Sequence, residues 1–239
     1  MKVLLLGGTG EARELAARLT DIEVVSSLAG RTRELQLPRG EVRVGGFGGT
    51  KGLTEWLRHN PVDAVVDATH PFAATMTEHA VEATRAVGVP LLVLRRPGWV
   101  AGPGDDWHWA ESAEAAAELL PSLGSRVFLT IGRQGLETFA TTGLWTLARC
   151  VDAPEPPPAW CTLLLDRGPY AVDAELGLLQ QHAIDVLVTK DSGGPQTEAK
   201  LAAARQLAVP VVLIRRPPLP AGAEVVKTVA DAIAWLRTR

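Results

Sequence analysis

The sequence is poor in the residues and patterns on which several classes of protein depend. It has two cysteines and one tyrosine among 239 residues. The spacing of Cys150 and Cys161 matches neither a zinc pair nor a redox pair, and it predicts buried thiols in a reducing compartment. The histidines form no Ser-His-Asp order, H-E-x-x-H segment or metal-ligand spacing, so neither a hydrolase nor a metal site is predicted.

The chain also lacks a strong charge imbalance and long apolar runs. Its net charge of -3 comes from 24 basic and 27 acidic residues. Without a basic run, nucleic acid is not predicted as a partner. No stretch reaches the roughly 18 apolar residues of a membrane-spanning helix, and the apolar run Val3–Leu6 is too short for a signal peptide. We therefore expect a cytoplasmic protein without a membrane span.

What the sequence does have is a regular alternation of short apolar runs with amphipathic stretches. This alternation is typical of strands and helices arranged around a parallel sheet. It predicts an α/β fold of two doubly wound, Rossmann-like parallel-sheet domains with a cleft between them. The predicted strands are Val3–Leu6, Ile22–Ser26, Val42–Val44, Ala64–Val66 and Leu91–Leu94, followed by Val127–Leu129, Leu144–Ala148, Thr162–Leu165, Val186–Val188 and Val211–Ile214.

The two halves of the chain resemble each other. The segment Val89–Pro97 returns as Val209–Pro217, and a loop, a short apolar segment and a capped helix follow each copy. Ser112 and Thr228 are the predicted caps. Convergence of two similar units remains an alternative to a repeat, but either case gives domains of residues 1–121 and 122–239. We interpret 99–109, rich in glycine, proline and aspartate, and 151–160, which has four prolines, as surface loops.

A glycine turn follows the first strand directly. Gly7, Gly8, Thr9, Gly10 and Glu11 lead into a helix. Such a turn lets a pyrophosphate approach the backbone N–H groups at the helix N-terminus, so it predicts a dinucleotide site. The third glycine of the usual fingerprint is replaced by Arg13.

The ends of the second and third strands indicate which dinucleotide is bound. An acidic residue usually accepts the ribose hydroxyls of NAD at the end of the second strand. Here the end of the second strand and the residues after it contain Ser27 and Arg31 but no carboxylate. This composition favours binding of the 2′-phosphate of NADPH. The alternative is that the arginines of this loop are solvated and bind no cofactor. The glycine-rich segment with Gly46, Phe47 and Gly48 predicts a close approach of the cofactor's ribose or adenine, or else a flexible turn.

The fourth strand is followed by Thr69, His70 and Pro71. Proline favours the first helical position, which makes His70 the predicted N-cap. Because histidine is a poor cap, we interpret it as a site residue that binds cofactor or substrate or donates a proton. A purely structural histidine is the alternative.

Cationic and glycine-rich segments also follow the strands of the second half. Arginine and lysine beside helix N-termini are suited to carboxylates, so these segments predict a polyanionic substrate. The candidate residues are Arg133, Arg149, Lys190, Ser192, Gly193 and Gly194.

Four segments together resemble the precorrin-6A reductases of cobalamin biosynthesis. They are 6–13, 67–73, 94–99 and 190–194. The resemblance implies an NADPH-dependent reduction of a carbon–carbon double bond of precorrin-6A to give precorrin-6B. It further implies an active site between two nucleotide-binding-like domains. A proton must also be delivered, from a side chain or from water; His70 and Lys190 are the side-chain candidates by type and place, and Pro71 is expected near the substrate. A monomer is expected, because each half is self-contained.

Three other functions stay open from the sequence. A carbonyl reductase would need a Tyr-x-x-x-Lys pair, but Ala174 stands four residues after Tyr170. A non-catalytic NADP(H)-binding module would leave the polar strand ends of the second half without a role. A reductase for the cobalt-containing form of the substrate is equally compatible with the sequence.

Overall fold

The computed structural model describes residues 1–30 and 40–239. The strands are β1 (Lys2–Leu6), β2 (Glu23–Leu28), β3 (Glu41–Val44), β4 (Ala64–Asp67), β5 (Leu91–Leu94), β6 (Trp107–Ala110), β7 (Arg126–Thr130), β8 (Trp145–Cys150), β9 (Thr162–Leu165), β10 (Val186–Lys190), β11 (Val211–Ile214) and β12 (Glu224–Val226). The helices are α1 (Gly10–Arg18), α2 (Gly49–His59), α3 (Ala74–Val87), α4 (Ala113–Leu123), α5 (Val172–Gln181), α6 (Ala199–Gln206) and α7 (Val229–Leu236), with 3₁₀ segments at Leu136–Thr142 and Pro195–Thr197.

These elements form two compact units. Unit 1 contains residues 1–97 and 217–239, and unit 2 contains residues 98–216. In the described residues, the sheet of unit 1 has the order β12-β5-β4-β1-β2-β3, and that of unit 2 has the order β6-β11-β10-β7-β8-β9. Adjacent strands in both sheets are parallel. The predicted Rossmann-like α/β fold is confirmed.

The strand orders show the repeat directly. Strands β1 to β5 have the same positions in the sheet of unit 1 as β7 to β11 have in the sheet of unit 2. The remaining edge position is filled by β12 in unit 1 and by β6 in unit 2. Thus β6 pairs with β11, where Trp107 faces Val211, while β12 pairs with β5, where Glu224 faces Leu92. Each half of the chain contributes its last strand to the sheet of the other half.

This exchange means that the boundary predicted after residue 121 does not match the observed division. Strand β6 and helix α4 lie in unit 2, and β12 and α7 lie in unit 1. Strands β5 and β11 are both short apolar strands with the same flanking residues, so local pattern could not indicate which one each last strand would join. The interpretation of 99–109 as loop throughout is likewise wrong for its last three residues, which belong to β6.

Burial of both faces of the central strands explains their continuous apolar sequences. In β1, Val3 and Leu5 face a cluster that includes Leu236 of α7, whereas Leu4 and Leu6 face the α2 and α3 side. The predicted caps Ser112 and Thr228 are confirmed: each side chain accepts a hydrogen bond from an amide in the first turn of its helix.

Candidate functional site

The glycine turn of unit 1 has the geometry of an anion site. Thr9 caps α1, its Oγ1 accepting a hydrogen bond from the Ala12 N–H at 3.1 Å. Gly8 has a φ of +115°, which side-chain-bearing residues rarely adopt, and a Cβ there would point into open space. A Cβ on Gly7 would lie 3.3 Å from a Leu28 methyl group, so glycine lets the turn pack against β2. The first amides of α1 thus stand open to an anion.

A small depression lies beside this turn, lined by Leu5, Gly7, Gly8, Ala12, Arg13, Ser26 and Leu28. Ser26 Oγ is buried there and has no hydrogen-bond partner in the described part of the chain. Glu11, in the first turn of α1, pairs with Arg96 at 2.7 Å. The pair offsets a negative charge that would otherwise disfavour a phosphate at the helix N-terminus.

The turn after β4 is attached to the glycine turn. Thr9 Oγ1 donates to the Ala68 carbonyl at 2.8 Å. Buried Asp67 accepts from the Thr69 N–H and hydroxyl with one oxygen and from the Thr77 hydroxyl at 2.6 Å with the other. Asp67 therefore fixes the backbone that carries Thr69 and His70 next to the predicted cofactor site.

The predicted N-cap role of His70 is wrong. Helix α3 begins at Ala74 with Ala73 as its cap, and Pro71 and Phe72 form a preceding turn. His70 Nδ1 accepts from the Phe72 N–H at 3.3 Å, so the ring stabilises that turn. This bond assigns the proton to Nε2 in the neutral ring. The strand-end position of His70 remains compatible with contact to a ligand.

Arg43 lies near the carboxyl end of β3, beside the glycine-rich segment, and the sequence analysis did not identify it. Its guanidinium donates to the carbonyls of Gly45 at 2.5 Å and Gly46 at 2.8 Å and stacks 3.8 Å from the centre of the Phe47 ring. No sequence signal marked it, because β3 is a partly exposed edge strand in which a cation is ordinary. The predicted 2′-phosphate ligand Arg31 falls outside the described residues.

In unit 2, Lys190 ends β10, the counterpart of β4, and its ammonium group reaches the turn after β7, which corresponds to the glycine turn of unit 1. Its Nζ donates to the carbonyls of Ile131 at 2.9 Å and Gln134 at 3.4 Å, which places it beside exposed Arg133. Burial lowers the pKa of the Lys190 ammonium group. The structure thus brings together two of the residues predicted to bind carboxylates.

The turn after β7 in unit 2 differs from the glycine turn of unit 1. It passes through Gly132 and Gly135, both with positive φ, into the 3₁₀ segment rather than into an α-helix. The helix N-terminus that a pyrophosphate needs is therefore present in unit 1 and lacking at this turn of unit 2.

Arg149 is not placed as a surface ligand for carboxylates. It is buried, pairs with Glu175 at 2.7 Å, and stacks on the Tyr170 ring at 4.0 Å. Sequence reasoning assumed an exposed arginine, because a partner 26 positions away in another element leaves no local signal. The buried Arg149 therefore has a structural role in unit 2.

A buried lysine adjoins this ion pair. Lys200 Nζ donates to the Thr197 carbonyl at 2.7 Å and lies 5.0 Å from the centre of the Trp99 ring. Burial lowers the pKa of Lys200 to about 7, an effect that Glu175 opposes and Arg149 reinforces. Nearby, Asp191 accepts from the Trp99 N–H at 3.0 Å and pairs with Arg216 at 3.1 Å. These contacts fix the segment that contains Ser192, Gly193 and Gly194.

Lys200 predicts a pH-dependent stability. Below pH 7 it is protonated in both the folded and the unfolded chain. Between pH 7 and 10.5 the unfolded chain holds one more proton, so the free energy of unfolding should rise by up to about 1.4 kcal/mol per pH unit. Urea unfolding at pH 7, 8 and 9 should show this rise in the wild type and its loss in Lys200→Met. The control Lys227→Met removes an exposed lysine and should keep it; equal slopes in all three proteins would contradict the assignment.

Gly8→Ala is expected to weaken cofactor binding about tenfold or more, the value of a hydrogen bond to a charged group. The added methyl group would occupy the open side of the turn, where the phosphates of a dinucleotide are predicted to approach. Gly143 also has a positive φ with open space around it, so Gly143→Ala is a matched control for backbone strain. Both variants should lose about 1–2 kcal/mol of stability. Calorimetric titration with NADP+ should separate them, and equal affinities would contradict this site.

Comparison with known proteins agrees with this geometry. The family model "Precorrin-6x reductase CbiJ/CobK" matches residues 2–237. A precorrin-6A reductase from Rhodococcus erythropolis is 59% identical over 242 residues, covering 99% of this chain and 98% of the relative. A cobalt-precorrin-6A reductase from Priestia megaterium is 26% identical, covering 92% of each chain.

The fold comparison points the same way. A solved structure of CobK precorrin-6A reductase superposes with a TM-score of 0.92 at 41% identity, covering 100% of this chain and 96% of that one. Within residues 1–30 and 40–239, no helix is long and apolar enough to cross a membrane, and no group of side chains could hold a metal ion. Membership of a reductase family together with a Rossmann-like fold indicates a nicotinamide cofactor. The chain belongs to the precorrin-6x reductase family.

Proposed function

We propose that the protein is a precorrin-6A reductase of cobalamin biosynthesis, which uses NADPH to reduce one carbon–carbon double bond of precorrin-6A and gives precorrin-6B. The observation that carries this proposal is the 59% identity to a precorrin-6A reductase over 99% of the chain. The matched region extends over both units, which contain the glycine turn, the segment after β4 and the segment after β10.

The cofactor is assigned to unit 1. Gly7, Gly8, Thr9, Gly10 and Glu11 would hold the pyrophosphate at the N-terminus of α1, and Thr69 lies on the adjoining turn that Asp67 fixes. Ser27, Gly46, Phe47 and Gly48 line the end of β2 and β3, where the adenosine would lie. When bound, the reduced nicotinamide supplies a hydride. The protein contributes binding and orientation.

The substrate is assigned mainly to the strand ends of unit 2. Precorrin-6A is a tetrapyrrole with acetate and propionate groups, and these anionic groups are suited to Lys190, Arg133 and the backbone of Ser192, Gly193 and Gly194. The buried network of Asp191, Trp99 and Arg216 holds that backbone in place. His70 and Pro71 of unit 1 are proposed to contact the same substrate.

A proton must reach the carbon next to the one that receives hydride. Lys190 and His70 are the two side-chain candidates. Lys190 has a pKa below that of an ordinary lysine, which makes it a stronger acid. Neither role requires a metal ion from the protein.

The identities favour the metal-free substrate. The Rhodococcus precorrin-6A reductase is 59% identical to this chain, and the Priestia cobalt-precorrin-6A reductase is 26% identical. We propose a monomeric cytoplasmic enzyme, supported by a separate sheet and core in each unit.

The direct experiment is anaerobic incubation of the purified protein with NADPH and either precorrin-6A or cobalt-precorrin-6A. Oxidation of NADPH that depends on the macrocycle, with a higher kcat/KM for precorrin-6A, is expected. A preference for the cobalt form would correct the substrate, and oxidation with neither macrocycle would reject the proposed function.

A further inference from the structure

Arg43 is a cation whose charge no acidic side chain balances in the described parts of the chain. It lies in β3 directly opposite Ser27 of β2. Its Nη1 contacts Ser27 Oγ at 3.4 Å and the Gly45 carbonyl at 2.5 Å, and its Nη2 contacts the Gly46 carbonyl at 2.8 Å. Burial lowers the pKa of Arg43, and no carboxylate among the described residues offsets this effect.

The position of Arg43 relates it to the dinucleotide turn. The Ser27 carbonyl accepts from the Gly7 N–H at 2.9 Å, and the Leu28 carbonyl accepts from the Gly45 N–H at 2.9 Å. The end of β2 therefore lies between the glycine turn and the Arg43 guanidinium. In Rossmann-like sites the adenosine ribose lies at the end of the second strand, so its 2′ position faces this place.

The Arg43 guanidinium is already fixed in position by contacts within the protein. Two carbonyls and the face of the Phe47 ring fix its plane, so little side-chain freedom would be lost on binding a ligand. The contacts within the described residues engage three of the five N–H groups of an arginine. The other two can donate to phosphate oxygens, for which the planar guanidinium is well suited.

We propose that Arg43 recognises the 2′-phosphate of NADPH and thereby sets the preference for NADPH over NADH. The inference rests on the proposed function, since it names the specificity residue of that cofactor site. Ser27, hydrogen-bonded to the same guanidinium, would be a second ligand of the phosphate. Arg31, which the sequence analysis predicts as a ligand of the same phosphate, lies outside the described residues.

A different role would give a different result. Arg43 could serve only to hold the backbone of residues 45–47, in which case its loss would weaken NADP+ and NAD+ equally. Ligands that differ by the 2′-phosphate alone distinguish the two roles. The pairs NADP+ with NAD+, and 2′,5′-ADP with 5′-AMP, meet this condition.

The experiment is calorimetric titration of the full-length wild type, Arg43→Gln, Arg43→Lys and Arg58→Gln with these four ligands. Arg43→Gln should weaken NADP+ and 2′,5′-ADP by about 10- to 100-fold, the value of hydrogen bonds to a charged group, with NAD+ and 5′-AMP nearly unchanged. Arg43→Lys should lose less, because it keeps the charge. Arg58, exposed in the last turn of α2, is the matched control and should behave as the wild type.

The possible failures are distinct. A wild type that binds NAD+ as tightly as NADP+ would overturn the proposed cofactor. A wild type that prefers NADP+, with the same preference in a folded Arg43→Gln, would overturn the role of Arg43 alone. Equal weakening of both members of each pair would also overturn it, and thermal melting of each variant verifies folding.

Discussion

Arg149→Met is expected to destabilise unit 2 by about 3–5 kcal/mol, the cost of leaving one partner of a buried ion pair without the other. Arg149 and Glu175 side chains are 5% and 2% exposed, and their atoms are 2.7 Å apart. Methionine would fill most of the space between the Phe128 and Tyr170 rings, but it would leave the Glu175 carboxylate buried. Urea unfolding followed by tryptophan fluorescence measures the loss.

Two further variants make this prediction specific. Arg167→Met removes an exposed arginine of the same unit and should change stability by less than about 0.5 kcal/mol. The double variant Arg149→Met/Glu175→Met removes both charges and should recover most of the loss, because replacing a buried pair by apolar residues is often close to neutral. A loss below 1 kcal/mol in Arg149→Met together with weaker macrocycle binding would show instead that Arg149 contacts the substrate.

Lys190→Met is expected to lower kcat by about 100-fold or more, the usual contribution of a general acid, with little change in the KM for NADPH. The lowered pKa of Lys190 makes it the stronger candidate donor. In the wild type, kcat should fall as the pH rises through this pKa, because a deprotonated lysine cannot donate. Single-turnover reduction of precorrin-6A across pH 6 to 10 measures both effects.

Lys190→Arg separates proton donation from charge. Arginine keeps the positive charge but stays protonated, so macrocycle binding should be retained while kcat remains low. His70→Asn serves as the parallel test of the other candidate. If Lys190→Met retains the wild-type kcat and its alkaline decrease, the proton comes from His70 or from water.

The fold was predictable because its main signals are local. Continuous apolar strands such as Val3–Leu6 and Val211–Ile214, separated by amphipathic helices, specify a parallel sheet covered on both faces. The exchange of β6 and β12 was not predictable. Strands β5 and β11 are both apolar strands with which β6 or β12 could pair. Which of the two each last strand joins depends on tertiary contacts, such as those of α7 with the core of unit 1.

The candidate site was also predictable only in part. The glycine turn was found because Gly7, Gly8 and Gly10 follow a buried strand, and backbone geometry there depends on glycine itself. Arg149, Lys200 and Arg43 could not be assigned, because their roles depend on partners distant in the chain or on the path of a neighbouring loop. The N-cap role of His70 was wrongly predicted, because proline at position 71 suggested a helix start there, whereas the helix begins at Ala74.

The measurement that tests the central claim most directly is transfer of deuterium from NADPH labelled at C4 of the nicotinamide, under anaerobic conditions, with precorrin-6A as acceptor. Mass spectrometry of the product should show a gain of two hydrogen atoms, one of them deuterium when the transferred position is labelled. NADP+ should form in equal amount, and Gly8→Ala and Arg43→Gln should slow the transfer at limiting NADPH. A wild-type product without deuterium from either face of the nicotinamide, or unchanged precorrin-6A, would contradict the account.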